Sequence, residues 1–392
     1  MKNRYIEKYI YDDLLAKMVF IGGPRQVGKT TLAQKLGSAF QSYVYLNWDS
    51  RRDKQVIIKE MWEPEAELII FDELHKYDNW KSHIKGIWDT RKHDEKILVT
   101  GSSRLDIYRR GGDSLLGRYH YYRLHPFSLA EVEGLFFSAD TVTDSAPILS
   151  FNHKGKNMES LFQLGGFPEP YLSQSQRVIK RWQNERFERI FREDIRDTEN
   201  VVNLSKLELL GSLLPGRIAS PLSLSSLTED INVSPATINK WIELLCRNYY
   251  IFKVPPYHKR LERALKKESK YYLWDWSEIK DDGPKFENMI ASHLMKFCNF
   301  YYDVFGIKTR LNYIRDREKR EVDFLLLWED KPWMLVECKV GKPTNMNHIK
   351  YFGNKLNVGQ KFFVIKSDRF DYLDKNNNIR VIPAEKFLMA LI

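Results

Sequence analysis

The sequence predicts an α/β chain: a parallel sheet with helices in its first third, helical segments in the middle, and a second α/β unit at the C-terminal end. Three observations predict it. Short apolar runs at Val19, Tyr43 to Leu46, Leu68 to Phe71, Ile97 to Val99 and Tyr121 to Leu124 alternate with stretches at helical spacing, the pattern of a parallel sheet. A glycine loop joins the first run to a helix. The last third holds two further strand-length runs with acids on one face.

At 392 residues the chain exceeds what a single hydrophobic core usually serves, so several domains are expected. A formal charge of +10 sits among 29% charged residues, a modest excess that puts nucleic acid among the expected partners. Cys246, Cys298 and Cys338 are scattered without metal-ligand spacing, and an odd number cannot complete a disulfide framework. The N-terminus lacks the continuous apolar region of a signal peptide, and no run has the length of a membrane helix. The expectation is a cytoplasmic protein with no membrane partner.

The first element is the run Lys17 to Ile21, which enters Gly22-Gly23-Pro24-Arg25-Gln26-Val27-Gly28-Lys29-Thr30-Thr31 and is followed by Leu32, Leu36 and Phe40 at helical spacing. Gly23, Gly28, Lys29 and Thr30 fit G-x-x-x-x-G-K-[ST], and the strand and helix that this motif requires flank it. The glycines let backbone N–H groups converge on phosphate oxygens at a helix N-terminus. Residues Gly23 to Thr31 (Gly23, Pro24, Arg25, Gln26, Val27, Gly28, Lys29, Thr30 and Thr31) are therefore expected to bind ATP, with Lys29 on the β and γ phosphates and the Thr30 hydroxyl on Mg2+. This is the P-loop NTPase fold.

The next element, Leu68-Ile69-Ile70-Phe71, ends in Asp72-Glu73. Asp72 is expected to hold the magnesium, and Glu73 to orient or deprotonate the attacking water. The strand Lys96 to Val99 leads into Thr100-Gly101-Ser102-Ser103, which puts Thr100 or Ser102 where a γ-phosphate sensor belongs. Arg118, in Leu115-Leu116-Gly117-Arg118, is the candidate guanidinium for the transferring phosphoryl group, within its own subunit or on a neighbour's site.

Taken together, GGPRQVGKTT, FDELHK, TGSS, LLGRYHYYRLHPFSLAE and GGFPEP resemble a prokaryotic group of AAA+ ATPases akin to the signalling ATPases with numerous domains. The resemblance spans essentially the whole chain. It implies an AAA+ core over residues 1–135, a helical lid over 136–205, a winged-helix-like segment over 206–258 and a restriction-endonuclease-like domain over 259–392. It also implies a homo-oligomer as one mode of action, with monomers known among the signalling relatives.

In the middle of the chain, Arg177 to Asn200 reads as an amphipathic helix with Trp182, Phe187, Ile190, Phe191 and Ile195 on its apolar side. Further on, Leu224 to Leu227 opens a short helix, Asn232-Val233 turns, and Ser234-Pro235 starts a second helix as N-cap and first helical residue. Tyr249 to Val254 then extends as a strand, completing a winged-helix succession. Thr237, Asn239 and Lys240 are the residues it would offer to a DNA groove; packing or regulation is the other use of such a module.

In the last third, a helix beginning near Lys285 carries Glu287. Two strands follow. Alternation puts Glu321 and Asp323 on one face of the first, and Glu337 and Lys339 on one face of the second. Asp323, Glu337 and Lys339 side by side resemble the nuclease signature of restriction-endonuclease type, in which carboxylates hold Mg2+ or Mn2+ and a lysine positions water. Glu287 would complete the metal shell. Two functions compete: an ATPase whose nucleotide state controls a nuclease acting on nucleic acid, DNA before RNA, and a nucleotide-gated switch that binds DNA or a protein partner through a catalytically inactive C-terminal domain. A P-loop kinase or transferase is the weaker third reading, because no acceptor pocket is visible in the sequence.

Overall fold

The computed structural model describes residues 2–91, 95–101, 115–135, 155–195, 203–258, 268–343, 345–367 and 369–392. The chain divides into two compact units.

The first comprises Asn3–Pro126 with Asp303–Phe305. In order it contains α1 (Glu7–Leu14), β1 (Met18–Gly22), α2 (Lys29–Gly37), β2 (Tyr43–Asn47), α3 (Arg51–Lys59), β3 (Leu68–Asp72), α4 (Trp80–Thr90), β4 (Lys96–Thr100) and β5 (Tyr119–Arg123). The strands form a sheet in the order β2-β3-β4-β1-β5, with every pair parallel. β1 and β3 are buried at every position, which is why they read as continuous apolar runs rather than as alternation. One core cluster gathers Phe20, Phe71, Trp80, Ile84 and Val99, with the Phe20 ring stacked on Tyr119 at 4.4 Å.

The second unit comprises Lys2, Phe127–Tyr302 and Gly306–Ile392. It opens with α5 (Leu129–Glu133), α6 (Met158–Leu164), α7 (Pro168–Ser173) and α8 (Gln176–Arg189). α8 runs on into a π-helical turn, Ile190–Asp194, and residues 196–200 of the expected amphipathic helix lie outside the described residues. Trp182, Ile190 and Phe191 are buried as the pattern requires. Arg186 is buried too: its guanidinium pairs with Glu278 at 2.9 Å and donates to the Tyr249 carbonyl at 2.9 Å. Arg186 lies one helical turn from both Trp182 and Ile190 and shares their buried face, so its charge is spent inside the unit.

Next come α9 (Leu204–Leu213), α10 (Leu224–Ile231), α11 (Pro235–Arg247), β6 (Ile251–Val254) and β7 (Lys270–Leu273). Asn232 takes the left-handed conformation (φ 54°) that ends α10, and the Ser234 hydroxyl accepts from the Thr237 N–H at 3.2 Å to start α11. β6 and β7 pair antiparallel, so this ladder joins residues on both sides of position 259.

The long helix α12 (Asp282–Phe305) precedes β8 (Thr309–Arg315), β9 (Glu321–Trp328) and β10 (Lys331–Lys339), an antiparallel meander. α13 (Asn347–Leu356) then crosses to β11 (Gln360–Ile365), which lies parallel to β10. β12 (Tyr372–Asp374), β13 (Ile379–Pro383) and α14 (Ala384–Met389) complete a six-stranded sheet of order β12-β13-β11-β10-β9-β8 and its flanking helix. Val322, Leu325, Leu335, Phe352, Phe363 and Val381 pack as one core cluster on this sheet. No helix among the described residues is long and apolar enough to cross a membrane.

Phe71, fully buried in β3, tests the packing of the first unit. Phe71→Ala is expected to cost about 4 kcal/mol, read as a lower urea midpoint for that unit; an unchanged midpoint would contradict the burial.

Candidate functional site

Because the five strands of the first unit are parallel, their C-terminal ends share one edge. Asn47 lies opposite Asp72, Asp72 opposite Thr100, and Thr100 opposite Ile21. β1 neighbours both β4 and β5, so the strand order reverses there and opens a crevice at that edge. The glycine loop leaves β1 into this crevice. Gly23 has φ +144°, and a Cβ there would meet the Leu124 carbonyl oxygen at 2.4 Å, so no side chain fits. Gly28 (φ +97°) turns the loop into the first turn of α2, whose N-terminal dipole faces the loop.

Lys29 is buried, and its Nζ donates to the carbonyls of Gly23 (3.0 Å) and Pro24 (2.8 Å). Arg4 braces the loop from outside its motif. One guanidinium nitrogen donates to the Val27 carbonyl at 2.9 Å and another to the His125 carbonyl at 2.5 Å.

The Asp72 carboxylate is almost fully buried. One oxygen accepts from Thr30 Oγ1 at 2.8 Å and from the Tyr45 hydroxyl at 2.5 Å; the other accepts from the Thr100 hydroxyl. Burial and the Asp72 charge together push the Tyr45 hydroxyl far above the ordinary tyrosine value, so it stays a donor. Thr30 and Asp72 thus present two hard oxygens to one point, the donor chemistry that Mg2+ takes, and the fit to that ion is good. Glu73 adopts φ 56°, and its N–H donates to the Thr100 carbonyl at 3.0 Å. Its side chain lies 3.4 Å from Lys76 and 3.7 Å from His75.

Arg118 is displaced from the place expected for it in its own subunit. Its carbonyl accepts from the Met18 N–H, at the start of β1, whereas the phosphate loop follows the end of that strand at Gly22. Its guanidinium makes a two-pronged pair with Asp89 at 2.8 and 3.1 Å. It therefore stands at the sheet edge opposite the phosphate loop. Ser102 lies outside the described residues; Thr100, its alternative, sits in the site through Asp72.

The second unit holds the acidic cluster. Val336 pairs with Phe324, which puts Glu337 beside Asp323 on adjacent strands, and Lys339 Nζ lies 3.9 Å from Glu337. Glu287 of α12 reaches the same place, accepting from the Tyr272 hydroxyl at 2.8 Å. Sequence reasoning missed the residue at its centre. Lys270 opens β7, has no exposed side-chain surface, and puts Nζ 2.8 Å from Glu321, 3.1 Å from Glu287 and 3.8 Å from Asp323. Burial pushes its ammonium down, but the charges of Glu287, Asp323 and Glu321 outweigh that and hold it above the ordinary lysine value. The signal was faint: a lysine sharing a strand face with Tyr272, at the end of a run that composition marks only as basic.

Burial and the Asp323 charge raise both Glu287 and Glu337 above the ordinary carboxylate value, Glu337 the further. Glu287, Asp323 and Cys338 offer ligand atoms within 4.8 Å of one another. The Cys338 thiol is nonetheless held well above its ordinary value by burial and by Asp323, and both its N–H (2.9 Å) and Sγ (3.4 Å) donate to Asp323. A divalent cation about 4 Å from the Lys270 ammonium would be repelled by about 8 kcal/mol at an effective dielectric of about 20. The expected metal shell of Glu287, Asp323 and Glu337 fits the residues poorly.

Comparison with known proteins agrees with the first unit's geometry. Residues 15–133 match an AAA domain model. Residues 155–277 and 282–387 match two domains of unknown function, DUF8612 and DUF4143. An uncharacterized protein of Methanocaldococcus jannaschii is 23% identical over 404 residues, covering 95% of this chain and 88% of that protein. One of Haemophilus influenzae is 24% identical over 374 residues, covering 88% and 89%. The Holliday junction branch migration motor RuvB of Thermotoga maritima is similar at 15% identity and TM-score 0.34, over 65% of this chain and 90% of that one. The phosphate loop, the strand that ends in Asp72 and the parallel sheet that aligns them make residues 15–133 a P-loop ATPase domain of the AAA+ class.

Proposed function

We propose that the chain is a magnesium-dependent ATPase that works as a nucleotide-gated switch, with nucleic acid, DNA before RNA, or a protein as the partner of its second unit. The observation that carries the ATPase reading is the meeting of Thr30, Asp72 and Thr100 beside a loop whose Gly23 admits no side chain. ATP would lie along the loop, with its phosphates on the N–H groups at the start of α2. When bound, Mg2+ supplies charge neutralisation at the β and γ oxygens. Lys29 would exchange its two loop carbonyls for phosphate oxygens, Thr30 and Asp72 would hold the metal, and Glu73 would orient water. Arg118, half-buried and at the sheet edge opposite its own phosphate loop, would suit a trans role in an oligomer once its guanidinium left Asp89.

The switch reading is preferred to the nuclease reading because Lys270 already engages Glu287, Glu321 and Asp323. The facing of Asp323, Glu337 and Lys339 still supports a nuclease-like strand arrangement. For a nucleic-acid contact, α11 offers exposed Asn239 and Lys240 with Thr237 beside them. A cleavage assay on single- and double-stranded DNA and RNA with Mg2+ or Mn2+, with and without ATP, separates the two: the switch predicts nucleotide-sensitive binding without cleavage. Product that vanishes with Asp323→Ala would restore the nuclease.

Three variants test the ATPase. Lys29→Ala is expected to weaken ATP binding about tenfold or more, as loss of a charge-assisted contact to phosphate does. Glu73→Gln is expected to keep ATP binding and to slow hydrolysis about 100-fold or more; wild-type turnover in that variant would remove Glu73 from the chemistry. Tyr45→Phe takes one donor from Asp72 and is expected to change the affinity for Mg-ATP about fivefold, about 1 kcal/mol, while metal-free ATP binds as before. A calorimetric titration with and without Mg2+ distinguishes these outcomes.

A further inference from the structure

The resemblance to nucleases implies a divalent metal among Glu287, Asp323 and Glu337, yet the described residues put another cation there. Lys270 comes from neither the helix nor the meander that carry those acids. It is delivered by β7, which is tied to the sheet through its surroundings. The Tyr257 N–H donates to the Tyr313 carbonyl at 2.7 Å, the Tyr313 N–H donates to the Pro255 carbonyl at 3.1 Å, and the Tyr313 hydroxyl donates to the Glu268 carbonyl at 2.6 Å. These bonds fix both approaches to the β6 and β7 ladder against β8. Tyr313 also presents its ring to Lys270 Nζ at 5.6 Å, a further contact for a cation. The ammonium has no exposed side-chain surface and three carboxylates around it, so it is built in rather than resting on a surface.

We propose that the Lys270 ammonium is the resident cation of this cluster, standing where a divalent metal would bind, and that the carboxylates beneath it form a latent Mg2+ or Mn2+ site that is exposed only when Lys270 is removed. Glu287 and Asp323 would then be the ligands, both oxygen donors suited to a hard ion. The proposal deepens the switch reading, in which the second unit does not cleave. Its test needs neither ATP nor nucleic acid, so its failure is separate from failure of that reading.

The experiment is Mn2+ binding by the full chain without nucleotide, followed by the paramagnetic resonance of free Mn2+, in an Asp72→Asn background that silences the first unit's oxygens. The expected result is no Asp323-dependent uptake with Lys270 present, and one bound Mn2+ in Lys270→Met, at least tenfold tighter and abolished by adding Asp323→Asn. Should Lys270→Met fail to fold, Lys270→Met with Glu321→Gln removes one of the uncovered charges while keeping both ligands, and the same uptake is expected. Asp323-dependent binding while Lys270 is present overturns the proposal, as does a folded Lys270 variant that takes up no Mn2+.

Discussion

A carboxylate withdrawn from water needs donors, and in the first unit Asp72 obtains them from three separate elements. Thr30 reaches it from the helix after the phosphate loop, Tyr45 from one neighbouring strand and Thr100 from the other. Those side chains meet only because β2, β3 and β4 run in the same direction and end in register. The site is therefore a property of the sheet as much as of the loop. A slip of one residue in β3 would turn Asp72 to the other face and leave three hydroxyls without their acceptor.

The second unit meets the same desolvation cost in another way. Its acids are covered chiefly by one ammonium group, with the Tyr272 hydroxyl donating to Glu287 beside it. The two solutions differ in what they permit. A hydroxyl rotates about one bond and leaves a carboxylate oxygen free for a metal at little cost, whereas a buried lysine that departs uncovers several acids together. A similar set of oxygens is thus open to exchange in one unit and closed in the other.

Much of this was legible in the sequence where the signal is local. The P-loop is contiguous and carries its own strand and helix; the apolar runs of β1 and β3 announce burial on both faces; and Ser234-Pro235 marks the start of α11 to the residue. What escaped depends on register and direction. Tyr45 looks like an ordinary strand tyrosine until β2 is laid beside β3, and Arg4 lies well before the motif that it braces. Arg118 follows a glycine turn, and a parallel β5 puts that turn at the start of the strand, at the edge opposite the phosphate loop. Lys270 was hidden by its company, a basic run whose last member points inward. Arg186 shows the same limit in a helix, where periodicity gives the face but not the buried partner that makes a charge welcome there.

Lys29 spends its hydrogen bonds on the carbonyls of Gly23 and Pro24, within the loop it serves. The nucleotide pocket is consequently held in shape from inside, with the lysine acting as its own placeholder. On the proposed ATPase reading, loading would be an exchange of acceptors on a standing frame, carbonyl oxygen for phosphate oxygen, in place of the folding of a slack loop around its guest. Little ordering entropy would then have to be recovered from the bound nucleotide, and departure of the product would leave a loop already set for the next turn of the cycle.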